Sequence, residues 1–145
     1  MVKLYSTVTS LPRAEDLNYW RTSRKSPDEW ICKAKSLIES VGGDVHGEAF
    51  ANTKKGQAYR IDFSIDGDEF RLTWPVCIHE PDEEIAARRQ AATMLFHDVK
   101  SRVVAAKVMG LRAAFLPFLM LPGGRAAGFL ASPELEKHLP KLITG

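Results

Sequence analysis

Two cysteines in 145 residues, Cys32 and Cys77, stand 45 positions apart with no Cys-x-x-Cys unit. This excludes a disulfide scaffold and a four-cysteine zinc site, and a reducing, cytoplasmic interior is the expected setting. No charge sign dominates: 20 Lys and Arg face 18 Asp and Glu for a net +2, which excludes a polybasic tail and an acidic, solvating, disordered composition. Long hydrophobic runs are missing too. The most apolar stretch, Val103 to Leu121, is broken by Lys107, Gly110, Arg112 and Pro117, and the first twenty residues carry no apolar run of signal-peptide length; neither a membrane span nor a leader is expected. There is no internal repeat, Walker loop, dinucleotide fingerprint, Gly-x-Ser-x-Gly elbow or His-Glu-x-x-His, so the common cofactor-binding and nucleophile motifs are absent and no cofactor is expected.

What is present is enough for one globular domain, with 45% hydrophobic and 26% charged residues. Residues 1–25 show no sustained period and read as an N-terminal arm or loosely docked segment ending in Arg21-Thr22-Ser23-Arg24-Lys25; residues 26–145 read as a single α+β domain. Ser26-Pro27-Asp28-Glu29 combines an N-cap serine, a proline at the first helical position and a glutamate placed for a capping box. Trp30, Ile31, Ala34, Leu37, Ile38 and Val41 then form one helical stripe, ended by Gly42-Gly43.

From Val45 to Cys77 the period changes to two. Tyr59, Ile61, Phe63 and Ile65 alternate with polar residues before Asp66-Gly67, and Phe70, Leu72 and Trp74 alternate after it. A two-residue Asp-Gly turn pairs Phe63 with Phe70, Ile61 with Leu72 and Tyr59 with Trp74, while Asp62 faces Arg71 and Ser64 faces Glu69. Every apolar pair then falls on one face, so the register is self-consistent. His46 to Asn52 is an expected first strand, joined through Thr53-Lys54-Lys55-Gly56.

A second helix is expected after Pro81, with Asp82, Glu83 and Glu84 at its dipole-favoured start. Ile85, Ala92, Leu95, Phe96, Val99, Val103 and Ala106 fall in a sector about 100° wide, and the helix can run to Gly110. Phe115 to Leu121 and Ala127 to Leu130 flank Pro122-Gly123-Gly124-Arg125 and read as an apolar hairpin, followed by a short helix from Ser132-Pro133-Glu134. The fold expected is therefore helix, three-stranded antiparallel sheet, long helix, then a C-terminal β-hairpin and short helix, an αβββα core.

The candidate chemistry is thin. Asp62, Glu69 and Arg71 share the polar face of the hairpin, with Glu69 about 7 Å from Asp62 on a diagonal. These ten residues resemble the aspartate followed by Glu-x-Lys of restriction-endonuclease-like nucleases, which implies a magnesium-dependent nuclease with Asp62 and Glu69 as metal ligands; Arg71 stands where that pattern has lysine. A solvated cross-strand ion pair accounts for the same three residues. Cys77, His79 and Glu80 cluster after the strand but are too few for a zinc site without His46 or His97.

The small net charge conceals segregation. Residues 1–60 hold 10 basic and 7 acidic residues, 61–84 hold 1 and 8, and 85–145 hold 9 and 3. On the second helix Arg89, Lys100 and Lys107 fall within about 20° of one another, a row that could follow a phosphate backbone, with Lys54 and Lys55 at a loop tip as a second contact to DNA or RNA. Basic side chains snorkelling at the edge of a buried helix account for the same row. The order helix, three strands, helix over Ser26 to Gly110 resembles the double-stranded-RNA-binding domain, and Lys54-Lys55 occupies the position of that family's groove-entering loop. Where the family opens its second helix with a lysine cluster, this chain has Asp82-Glu83-Glu84, and Arg88-Arg89 follows a turn or two later.

Three functions follow as expectations: a non-enzymatic accessory protein binding nucleic acid through Lys54, Lys55, Arg89, Lys100 and Lys107; a homo-oligomeric assembly module pairing through residues 115–121 or the long helix; and a metal-dependent nuclease using Asp62 and Glu69.

Overall fold

The computed structural model describes residues 12–21, 24–53, 56–78, 81–121 and 125–126. Helix α1 spans Pro27–Ser40 and begins as its sequence dictates: the Ser26 hydroxyl accepts from the Glu29 N–H at 3.2 Å, and the Glu29 carboxylate accepts from the Ser26 N–H at 3.4 Å. It buries Ile31, Ala34 and Ile38. Strands β1 (Asp44–Thr53), β2 (Gly56–Ile65) and β3 (Asp68–Pro75) form an antiparallel sheet in the order β1-β2-β3. Helix α2 follows over Glu84–Met109; its 26 residues correspond to about 39 Å. After it come the short helix α3 (Leu111–Ala114), a 3-10 turn over Leu116–Phe118, and a two-residue pairing of β4 (Met120–Leu121) with β5 (Arg125–Ala126).

The β2–β3 register matches the expected one in every pair, including Phe63 with Phe70 and Asp62 with Arg71. Asp66 and Gly67 both take positive φ, 51° and 88°, as the tight primed turn requires. Strand β1 starts two residues earlier than expected and contains a bulge at His46: Val45 pairs with Phe63, yet Gly47 pairs with Asp62. The extra residue exchanges the faces of the rest of the strand. Phe50 thereby comes opposite Tyr59, with ring centroids 4.9 Å apart, while Ala49 and Ala51 go to the polar side.

The core is a single cluster between the sheet's apolar face and the two helices. Tyr59, Ile61, Phe63, Ile65, Phe70 and Leu72 are buried from the sheet; Ala87, Ala91, Ala92, Leu95, Val99 and Val103 from α2. The helices run in the same direction. Pro27 and Asp28 lie beside Ile85 and Arg88 at their starts, Trp30 meets Phe96 in the middle of α2 with ring centroids 4.9 Å apart, and a side chain at Gly42 would touch Leu111 at 3.9 Å just past their ends.

Two expectations need correction. Ile85 belongs to the apolar sector by angle but is 68% exposed, because it lies in the first turn of α2. The strand expected over Phe115 to Leu121 shrinks to Met120–Leu121, with a single bridge from Leu119 to Phe70 before it. Pro117 lacks a donor for a ladder and suits the turn it occupies, while Phe115 inserts edge-on against Phe63 at 5.4 Å and is fully buried. The strand expected over Ala127 to Leu130 and the terminal helix fall outside the described residues.

Residues 12–21 of the N-terminal segment dock on the body. Ala14 is buried in the core cluster, Trp20 packs against it, and a 3-10 turn spans Ala14–Asp16.

Candidate nucleic-acid interface

Because α1 and α2 lie side by side, the outer seam between them collects residues distant in sequence. Arg89, Lys100 and Lys107 of α2 are all exposed, and none has an ion-pair partner among the described residues. Other basic residues of the same region are engaged. Arg88 sits 4.1 Å above the Phe50 ring and donates to the Tyr59 hydroxyl at 3.1 Å; Arg102 donates to Asp98 at 2.8 Å and to the Ala114 carbonyl at 3.1 Å; Arg112 pairs with Asp68.

Lys33 was not singled out by charge counting, yet its ammonium lies 5.8 Å from the Trp30 ring centre and 6.0 Å from that of Phe96. Lys25 approaches Trp30 from the N-terminal side at 5.9 Å. Since Lys100 follows Phe96 by one helical turn, Lys33 and Lys100 border the same seam from opposite helices. Arg89, with Pro27, Asp28, Ile85 and Arg88, lines a small surface pocket of about 170 Å³ where the two helices begin. Asp28 is the carboxylate among those lining residues. Lys54 and Lys55 lie outside the described residues. The acidic run at the start of α2 forms a 3-10 turn over Pro81–Glu83 that leads into Glu84.

The hairpin carboxylates sit on the opposite face of the sheet. Asp62 accepts from Arg71 Nε at 2.9 Å, and Arg60 Nε lies 3.2 Å from its other oxygen. Glu69 instead bonds His46 Nε2 at 2.7 Å. Two arginines therefore offset the Asp62 charge, and Glu69 is directed to a different partner. Among the described residues no three His, Cys, Asp or Glu side chains are grouped to hold a metal ion. The Cys77 thiol is half-buried and pushed above its ordinary pKa by burial; His79 and Glu80 lie outside the described residues. His97 belongs to an aromatic cluster, parallel to Tyr19 at 4.9 Å and tilted against Trp30 at 5.8 Å.

Apolar exposure has moved from the expected place. Of residues 115–121, Phe115 and Leu121 are buried and Phe118 and Leu119 pack on the core, leaving Leu116 at 41% exposure. More exposed than Leu116 are Ile85 in the first turn of α2 and Val104, Val108 and Met109 toward its end. None of the described helices is long and apolar enough to cross a membrane. No family model, no curated protein and no solved structure matches the chain.

Proposed function

We propose that this protein is a nucleic-acid-binding accessory module that lays the α1–α2 seam along a phosphate backbone. The observation that carries the reading is the row of cations with no ion-pair partner among the described residues, Arg89, Lys100 and Lys107, joined by Lys33 across the seam. From Arg89 to Lys107 the helix advances about 27 Å, or roughly eight base steps of a duplex. Side chains that pair with no described carboxylate keep their charge for an external polyanion, and Lys33 beside Trp30 and Phe96 has an aromatic surface beneath it.

Anisotropy titrations of short DNA and RNA duplexes over a range of salt test this directly. Four phosphate contacts give a log–log salt slope of about −3.6, and each charge removed lowers its magnitude by about one. The double substitution Lys100→Ala with Lys107→Ala is expected to halve the slope, to about −1.8. Failure to bind either duplex at low salt removes the proposal.

A second reading rests on the exposed Val104, Val108 and Met109, with Leu116 beside α3: a homo-oligomeric assembly module joined through the end of α2. Sedimentation decides it. Concentration-dependent dimerisation that Val108→Asp abolishes supports it, and a monomer at high concentration rules it out.

A further inference from the structure

We propose that a second site, between the N-terminal segment, β3 and α2, binds a small organic cation of the alkylated-ammonium class. A pocket of about 330 Å³ is bordered by Asp16, Leu17, Asn18 and Tyr19 of the segment, Trp74 of β3, and Met94 and His97 of α2.

Its walls are held in place from behind. Gln90, buried in α2, donates from Nε2 to the Ala14 carbonyl at 2.7 Å and the Asn18 carbonyl at 2.9 Å, so both sides of the segment's turn are tied to the helix. Tyr19 adopts a left-handed φ of 68°, a conformation costing roughly 1 kcal/mol or more for a bulky side chain. In that conformation its ring lies parallel to His97, 4.9 Å away and within 6°.

The chemistry of the lining selects the ligand. Asp16 contributes a carboxylate, and among the described residues no lysine or arginine lines the pocket. Indole and phenol rings add negative quadrupole faces, and Met94 adds a polarizable thioether. The Asp16 carboxylate disfavours an anion, and the His97 ring beside it is stacked on Tyr19. A hydrated metal ion finds one carboxylate among mainly apolar walls, and a neutral hydrocarbon leaves that carboxylate desolvated without compensation. An ammonium bearing methyl groups satisfies both demands, its alkyl surface packing on Trp74 and Met94 and its charge facing Asp16 and the rings. The site shares no lining residue with the basic seam, although His97 touches Trp30 and Phe96, and it does not depend on nucleic-acid binding.

Calorimetric titration of the full chain at constant ionic strength tests the proposal with tetramethylammonium, choline, a short trimethyllysine peptide and 3,3-dimethyl-1-butanol, the uncharged isostere of choline. Saturable binding of an ammonium probe is expected, with the isostere weaker by about tenfold or more. Asp16→Asn, an exposed position, and Trp74→Leu should each weaken binding by about tenfold, and Trp74→Phe should restore most of the loss at position 74. Preference for choline marks a small-molecule headgroup and preference for the peptide a modified side chain; either upholds the site. Absence of saturable binding by every ammonium probe, equal binding of the isostere, or unchanged affinity in Asp16→Asn overturns it.

Discussion

Gln90, in the first half of α2, bonds the main-chain carbonyl of Ala14 at 2.7 Å across 76 residues of sequence, and Ala14 itself is buried. One amide thereby makes the N-terminal segment part of the folded body. Gln90→Ala leaves the Ala14 and Asn18 carbonyls without this donor and is expected to cost about 1–3 kcal/mol. Urea midpoints measure the loss, and limited trypsin digestion should show earlier cleavage at Arg21 and Arg24. An unchanged midpoint would mean that the segment docks independently of the core.

Phe115 makes the same point at the other end of the chain. It is fully buried, edge-on to Phe63, which stacks on Phe70 at 5.4 Å. Phe115→Ala should cost about 3–5 kcal/mol, while Leu116→Ala should remain within about 0.5 kcal/mol. Comparable effects at the two positions would contradict the turn described over Leu116–Phe118.

These contacts also show what could be read in the sequence. The β2–β3 hairpin was legible because two strands and one Asp-Gly turn must satisfy a single register, and α1 because its capping box is local. The bulge at His46 was not: Gly47, Ala49 and Ala51 are too small to mark a face, so an inserted residue leaves no break in the pattern. Gln90 reads as a surface residue by type, whereas its burial is set by a segment more than 70 residues away. Of the proposed basic seam, Arg89, Lys100 and Lys107 share one side of α2 by helical angle alone. Lys33 required the pairing of α1 with α2, which Trp30 and Phe96 establish only in three dimensions. Ile85 failed for a related reason, since an angular sector does not say where along a helix its cover ends.

The two cysteines should separate by reactivity. Cys32 is exposed on α1, whereas Cys77 is half-buried and its thiol is pushed upward by burial. Because the thiolate is the reacting species, iodoacetamide at neutral pH should label Cys32 first and Cys77 only slowly, the second label catching up in denaturant. Mass mapping of the labelled peptides checks this, and equal native rates would refute the burial of Cys77.

Tyr59 should make the fold sensitive to alkali. Burial raises its hydroxyl above the ordinary value of about 10, and this outweighs the hydrogen bond and charge of Arg88, which pull the other way. The folded chain therefore keeps this proton to a higher pH than the unfolded chain. Its contribution is complete below about pH 10 and is lost as pH rises through the folded-state value. Cys77 acts with the same sign from a lower starting point, so the comparison belongs in a Cys77→Ser background. Tyr59→Phe should cost no more than about 1 kcal/mol near neutrality, because partly exposed Arg88 can turn to water. Above about pH 10 the gap between parent and variant should narrow and then reverse, since only the parent must retain a buried phenol against ionisation. Urea midpoints from about pH 8 to about pH 11 for the pair measure this, and parallel curves would show that Tyr59 ionises as freely in the folded chain as in the unfolded one.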